Sequence, residues 1–165
     1  MTNIRLAMRT SDWAVEARFA TDPDRPDLVV EVTTGDLLPP TLDEAGQYAV
    51  INGCRPRRAQ PTTTADAVCA LTAAPWCTGV ELRPVTCRGG QTELLVLTSD
   101  DSRADRVRAG AAVQSVCLTA TAMRLIVRPP VNLLRDLTMR AGLIERLALA
   151  GYPQASLRVD MTSAL

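Results

Sequence analysis

The stretch that decides the fold is DSRADRVRAGAAVQSVCLTATAMRLIV, from Asp101 to Val127. It begins with charged residues, continues as a long run of small and aliphatic residues, and is followed by Arg128 and two prolines. Polar residues such as Gln114 and Arg124 interrupt the run, which argues against a membrane span. We therefore predict a long helix from Ala104 to Val127, buried at the centre of the protein and ended by the prolines.

Small residues dominate the middle of this predicted helix, in the segment Ala109-Gly110-Ala111-Ala112. Residues with little or no side chain allow other backbones to approach a helix closely. We therefore expect this segment to be tightly packed, so that leucine at Gly110 or Ala111 overpacks the protein and destabilises it.

The composition limits the classes of partner. With 165 residues the chain has about the length of one domain, and its 18 basic residues are balanced by 18 acidic ones. The basic residues are scattered, so we expect no nucleic-acid partner and no membrane partner. The amino terminus lacks the apolar core of a signal peptide, which predicts a cytoplasmic protein.

The residue types that are missing restrict the chemistry. The chain has no histidine and no lysine, which excludes Ser-His and Cys-His nucleophile pairs and Schiff-base chemistry. Its five cysteines form no C-x-x-C pair, so we expect no metal site and reduced, mostly buried thiols. Any chemistry is then expected to come from a cofactor whose anionic groups are held by arginine.

The rest of the chain predicts an α+β fold in which helices surround a small, partly antiparallel sheet. Glycines 89 and 90 suit the turn of a hairpin, and Asp100 and Asp101 are interpreted as cap and first-turn charges of the central helix. Helices are predicted near residue 2, in LDEAGQYAVING, in ADAVCALTAA behind Thr63 or Thr64, and in NLLRDLTMRAGLIERLA. Strands are predicted in WAVEARFA, in GVELRPV and TELLVLTS, and as a short last strand in ASLRVD.

Four segments together resemble a known family. They are NIRLAM, DPDRPDLVVEV, ELLVLTSDDSRADRVRAGAAVQSVCLTATAMRL and GYPQASLRV, and they extend from Asn3 to Val159. The pattern is similar to the Acg-like branch of the FMN-dependent nitroreductase superfamily, in which one chain holds two fused nitroreductase-like halves. Its most specific part runs from Asp101 to Met123.

This resemblance implies a nitroreductase-like α+β fold whose long apolar helix forms the core and the dimer contact. Acg-like proteins begin with a segment containing A-P-S-x-H-N-x-Q-P-W, which this sequence lacks. Residues 1–48 are then expected to be the remnant of a first half, and residues 49–165 a second half. The expected partner is a second copy or a different chain that supplies the missing half.

The resemblance also implies a phosphate site for FMN. The family motif R-R-[ST]-x-R corresponds to CRPRR, in which Arg55 and Arg58 match the second and the final arginine. Cys54 stands where the first arginine belongs, and Pro56 replaces the hydroxyl residue. Arg55 and Arg58 are thus candidates to bind the flavin phosphate. The alternative is a solvated connector whose arginines lie on the surface.

The resemblance points to two further arginines. Arg158 matches the arginine of the closing strand and is a third candidate for the flavin phosphate, although Asp160 replaces the usual glycine there and would repel a phosphate. Arg128 lies in the segment corresponding to the loop that faces the flavin ring, where a positive charge favours reduced flavin. The alternative for Arg128 is an interaction with the carboxyl end of the helix dipole. The sequence singles out no catalytic residue.

Two functions follow from these expectations. The first is an FMN-binding oxidoreductase module of the nitroreductase family, with a small-molecule substrate and a flavin site completed by a second chain. The second is a flavin-free interaction or assembly subunit with a degenerate site. The intact core and the matched arginines favour the first, whereas Cys54, Pro56 and Asp160 favour the second.

Overall fold

A computed structural model describes residues 2–20, 25, 27–54, 61–73, 78–87, 91–128, 131–132 and 136–161. The chain forms two compact units, Met1–Pro56 and Arg57–Leu165. The resemblance predicts a boundary after residue 48 and assigns the two segments to halves of a duplicated fold. That assignment stays a prediction.

In its described residues the first unit has two helices and a two-stranded antiparallel sheet. The predicted helix at residue 2, the strand after it and the short second helix are confirmed. In order, the elements are α1 (Thr2–Thr10), β1 (Trp13–Phe19), β2 (Val30–Leu37) and α2 (Leu42–Ile51). Thr41 caps α2 in a capping box, because its hydroxyl accepts from the Glu44 amide while the Glu44 carboxylate accepts from the Thr41 amide.

A buried arginine holds this first unit together. Arg9 is 6% exposed, and its guanidinium donates to the Glu44 carboxylate at 3.1 Å. The same guanidinium also donates to the backbone carbonyls of Trp13, Leu38 and Pro39. Burial alone would raise the pKa of Glu44, but hydrogen bonds from Arg9 and Thr41 outweigh it and lower the pKa to about 2.

The second unit has three helices and a five-stranded sheet in the described part of the chain. Its elements are α3 (Thr64–Thr72), β3 (Val80–Thr86), β4 (Thr92–Thr98), α4 (Arg103–Ala122), β5 (Leu125–Val127), β6 (Val131–Asn132), α5 (Leu137–Leu147) and β7 (Tyr152–Met161). The strands follow the order β3-β4-β7-β5, β6 also pairs with β7, and every pairing is antiparallel. The predicted α+β class and the predicted hairpin strands are confirmed.

Alternation along the strands divides the second unit into layers. Leu94 and Val96 of β4 and Leu157 of β7 pack with residues of α3 and α4 on one face of the sheet. Leu95 and Leu97 of β4 pack against α5 on the other face. The sheet is therefore covered by helices on both sides, because successive side chains of a strand point to opposite faces.

The long helix α4 is shorter than predicted. It ends at Ala122, and the prolines do not terminate it. Arg124 adopts a left-handed conformation with φ 57°, which stops the helix and turns the chain back. Residues Leu125–Val127, predicted as helix, instead form β5 and pair with β7.

The packing prediction for α4 is half right. Ala109, Ala112 and Val116 are buried at helical spacing against the sheet, and Ala111 is 6% exposed. The prediction for Gly110 is wrong: this residue is exposed, and a Cβ added there meets no atom within 4 Å. None of the helices in the described residues is both long and apolar enough to cross a membrane.

Two other expectations also need correction. The segment predicted as a short last strand is a ten-residue strand at the centre of the sheet, since β7 pairs with β4 on one side and with β5 and β6 on the other. The cysteines were expected to be mostly buried, yet Cys54 and Cys69 are exposed and Cys87 and Cys117 are half-buried.

Substitutions at Ala112 and Gly110, which lie two residues apart in α4, test this packing through their opposite effects on stability. Ala112→Leu should lower the free energy of unfolding by about 1 to 3 kcal/mol, because Ala112 is fully buried and has no room for a larger side chain. Gly110→Ala should raise it by about 0.5 to 1 kcal/mol, because alanine is the better helix former in open space. Urea denaturation of both variants checks the pair, and equal effects would contradict the orientation of α4.

The low pKa of Glu44 predicts how the first unit responds to acid. A carboxylate whose folded pKa is lowered stabilises the fold above its unfolded pKa of roughly 4.3, and this contribution is lost as the pH falls towards 2. Glu44→Gln should lower the thermal midpoint at pH 7, and the deficit should shrink progressively below about pH 5. Glu16→Gln is the control, because the Glu16 side chain is 58% exposed. A deficit that is independent of pH would contradict the role of Glu44.

Candidate functional site

The polar residues of β7 lie on the face of the sheet that α5 covers. Leu157 and Val159 belong to the core on the α4 side, so Ser156, Arg158 and Asp160 point to the α5 side. The register of the sheet places Glu93 of β4 directly opposite Arg158. One face of β7 is therefore apolar and closed, and the other carries charge.

Arg128, Arg158 and Asp160 form a group that we call the carboxylate bridge. Arg128 Nε donates to Asp160 Oδ2 at 2.7 Å, and Arg158 Nε lies 3.6 Å from Asp160 Oδ1. The backbone N–H of Arg128 also donates to the carbonyl of Arg158 at 3.0 Å. The sequence-predicted residues Arg128 and Arg158 are thus brought together at one carboxylate.

The electrostatics of the carboxylate bridge favour an ionised Asp160. The hydrogen bond from Arg128 is the main cause that lowers the pKa of Asp160, and the charge of Arg158 adds to it. Arg158 Nε is buried, and at 3.6 Å from Asp160 it makes an ion pair rather than a close hydrogen bond. Glu93 lies opposite Arg158, so the two guanidinium groups at this end of β7 face two carboxylates, and the Arg128 side chain is 62% exposed.

The other two predicted phosphate ligands cannot be placed in the same way. Arg55 and Arg58 lie outside the described residues, as does the proline between them. Their assignment to a phosphate site stays a prediction. The segment that follows them does form the predicted helix α3, with Thr63 as its cap.

A cleft of about 830 Å³ opens on the same face of the sheet. Its volume lies within the range of pockets that hold small molecules. Ser156 and Glu93 are part of its wall, so it reaches the strand residues next to Arg158. The remaining lining residues come from β3 and the residue after it, from β4 and from α5, and they are mostly apolar: Val85, Thr86, Cys87, Leu95, Met139, Leu143, Arg146 and Leu147.

Two polar side chains of the cleft are hydrogen-bonded to each other. The Ser156 hydroxyl donates to the Glu93 carboxylate. Burial, followed by the negative charge of Glu93, raises the pKa of the Cys87 thiol. Because the thiolate is the reactive form of cysteine, Cys87 is a poor nucleophile in this environment.

A second polar cluster, the Asp101 network, joins the start of α4 to α5 and β7. Arg140 is 5% exposed and donates to the Asp101 carboxylate at 2.9 Å, and Arg106 donates to it at 3.3 Å. Gln154 Nε2 donates to Thr98 Oγ1 at 2.8 Å and to Asp101 Oδ1 at 3.3 Å. The hydrogen bond from Arg140 is the main cause that lowers the pKa of Asp101.

The Asp101 network corrects the interpretation of the two adjacent acids. Ser102 is the residue that caps α4, and Asp101 instead neutralises the buried Arg140. Gln154 reaches the network because it is an extra residue in β7, at an irregularity opposite Val96 and Leu97. The sequence does not predict the contact between the segments DDS and GYPQ, which carry Asp101 and Gln154.

The described residues contain no group of three or more His, Cys, Asp or Glu side chains that could hold a metal ion. The carboxylate bridge and the Asp101 network both consist of arginines paired with carboxylates. Arginine binds carboxylate and phosphate groups well, so an anionic ligand is the class that the carboxylate bridge can accommodate.

Comparison with known proteins supports the fold. No protein-family model and no curated protein matches the chain. One similar solved structure is described as a candidate NADH dehydrogenase/NAD(P)H nitroreductase from Parabacteroides distasonis. It shares 17% sequence identity and a TM-score of 0.50, over 67% of this chain and 82% of that chain. This likeness shows that the chain has a nitroreductase-like fold.

The buried ion pair of the Asp101 network predicts a stability effect. Asp101→Ala should lower the free energy of unfolding by about 3 kcal/mol, because it leaves the Arg140 guanidinium buried without its carboxylate. Arg106→Ala removes a partner whose side chain is 50% exposed and should cost less than about 1 kcal/mol. Chemical denaturation of both variants compares the two costs. An equal cost for both would show that Arg140 does not depend on Asp101.

Proposed function

We propose that the chain is an FMN-binding oxidoreductase module of the nitroreductase superfamily, related to its Acg-like branch. The observation that carries this proposal is the position of Arg128 and Arg158 within a nitroreductase-like fold. Arg158 matches the family pattern, Arg128 lies in the segment that corresponds to the flavin-facing loop, and their head groups meet at one end of β7. FMN, when bound, supplies the electron transfer, and the residues of the chain bind and orient it.

The arginines meet one requirement of a flavin phosphate site. A phosphate needs charge-assisted donors, and in a chain without lysine or histidine only arginine provides them together with backbone amides. Arg128 is such a donor, because its side chain is 62% exposed, and Arg158 lies beside it with a side chain that is 29% exposed. Asp160 and Glu93 are the features that fit less well, because their carboxylates already offset this positive charge.

The cleft supplies a second element of the proposal. It has mostly apolar walls and a few polar groups, which is the usual composition of a small-molecule site. Since Glu93 lines the cleft and pairs across the sheet with Arg158, a ligand anchored at Arg158 can extend towards it. We assign no substrate and no catalytic residue.

The proposal includes a second chain that completes the flavin site, either another copy or a different protein. In the first unit several large apolar side chains are exposed, among them Leu42 at 94% and Leu37 at 69%. Exposed apolar residues that lie close together favour association. The structure describes one chain, so the partner is part of the proposal.

The competing function is a flavin-free assembly subunit in a complex of the same fold. Asp160 favours it, because a neutralised arginine has less affinity for an anionic cofactor. The exposed leucines of the first unit are compatible with both functions. Binding of FMN separates the two.

The test is a titration of FMN by fluorescence quenching, with parent protein and variants at one ionic strength. Arg158→Ala and Arg58→Ala should each weaken FMN binding by about tenfold to a hundredfold, because each removes a charge-assisted contact to the phosphate. Arg18→Ala is the matched control, since the Arg18 side chain is 74% exposed and pairs with Glu16. The control should bind as the parent does.

The outcomes decide between the proposals. If the parent binds FMN tightly and neither Arg158→Ala nor Arg58→Ala changes the affinity, the protein binds flavin but its phosphate site lies elsewhere. If the protein does not bind FMN at high micromolar concentration and sediments as a dimer, the oxidoreductase function would be wrong and the assembly subunit would be favoured.

A further inference from the structure

We infer that Asp160 is an internal counter-ion of the arginine pair, which competes with an incoming phosphate and sets the affinity of the site for phosphate-bearing ligands. The inference rests on the proposed function, because it concerns the same arginines. Asp160 limits the affinity of the two arginines for a phosphate. The ligand class is a small molecule that carries a phosphate monoester.

The geometry makes Asp160 a direct competitor. Its two carboxylate oxygens face different guanidinium groups, with Oδ2 at 2.7 Å from Arg128 and Oδ1 at 3.6 Å from Arg158. A phosphate monoester that binds both arginines needs the same positions. Its oxygens and those of Asp160 are all hydrogen-bond acceptors, so they repel each other at contact distance.

The backbone keeps the two arginines and the carboxylate in place. Asp160 is paired with Ile126 in the β5–β7 ladder, and the Arg128 amide donates to the Arg158 carbonyl. Asp160 therefore cannot leave the site by a movement of a loop. A ligand has to displace the carboxylate side chain from the arginines.

The two arginines differ in how readily they can change partners. The Arg128 side chain is 62% exposed and can turn from Asp160 towards a ligand, whereas the Arg158 side chain is 29% exposed. Arg158 Nε is 3.6 Å from the carboxylate, beyond a good hydrogen bond, and has no other described partner. Arg158 therefore holds the Asp160 carboxylate less closely than Arg128 does. Because Nε itself is buried, a phosphate would approach Arg158 through the exposed part of its side chain.

This arrangement predicts that removing the charge of Asp160 improves binding of the phosphate. Asp160→Asn keeps the size of the side chain and removes its negative charge, so FMN should bind about tenfold more tightly or better. Riboflavin shares the ring system of FMN but has no phosphate. Its affinity should be the same for the parent and for Asp160→Asn.

The experiment titrates FMN and riboflavin by fluorescence quenching with the parent, Asp160→Asn and Asp160→Ser at the same ionic strength. Glu81→Gln is the control for net charge, since it removes one negative charge from an exposed side chain of the same sheet. Circular dichroism verifies that each variant is folded. The serine variant replaces the asparagine variant if the latter does not fold.

Tighter FMN binding by the Asp160 variants, with unchanged riboflavin binding and no gain for Glu81→Gln, would support the counter-ion. Equal FMN affinity of parent and Asp160 variants would overturn it while leaving the flavin function in place. An equal gain for riboflavin or for Glu81→Gln would overturn it as well. If neither the parent nor any variant bound FMN, both the counter-ion and the flavin function would be wrong.

Discussion

The second unit depends on the burial of one face of β7 against α4. Leu157 and Val159 project into a core with the small residues Ala109, Ala112 and Val116 of α4. Small side chains on the helix allow it to lie close to the strand, and the apolar area removed from water stabilises the contact. Successive side chains of a strand point to opposite faces, so burial of this face of β7 also determines which residues lie on the other. Ser156, Arg158 and Asp160 lie on that second face, beside the cleft.

The position of β7 at the centre of the sheet extends this constraint to the candidate site. Its pairing with β4 sets Arg158 opposite Glu93, and its pairing with β5 brings Arg128 to Arg158. A slip of one residue in either register would move the charged residues to the core face. The site is therefore built from residues distant in the sequence, which β7 and the end of β5 bring together.

The sequence predicted those features that depend on local patterns. The apolar run predicted α4, and alternation with a pair of glycines predicted the hairpin strands. The sequence-based prediction was wrong where the structure depends on one backbone conformation or on a distant contact. The left-handed conformation of Arg124 ends α4 before the prolines, and Asp101 binds Arg140, which is 39 positions away in the chain. Neither feature can be predicted from hydrophobic periodicity. The sequence alone also does not show that Ala112 faces the sheet and Gly110 faces away from it, because that depends on where the strands lie.

The candidate site was predicted in part. Arg128 and Arg158 were identified as separate contacts of a flavin, one near the ring and one near the phosphate, and the structure places both at the same carboxylate. Asp160 was recognised from the sequence as a repulsive neighbour. That it binds the arginines follows only from the antiparallel pairing of β5 with β7.

The proposed flavin site at this arginine pair is tested by the visible difference spectrum of FMN during titration with the protein. We expect the two bands of oxidised flavin to shift, to saturate with protein and to return at high salt, because the phosphate contact is electrostatic. A flavin spectrum that stays identical to that of free FMN at every protein concentration would contradict it.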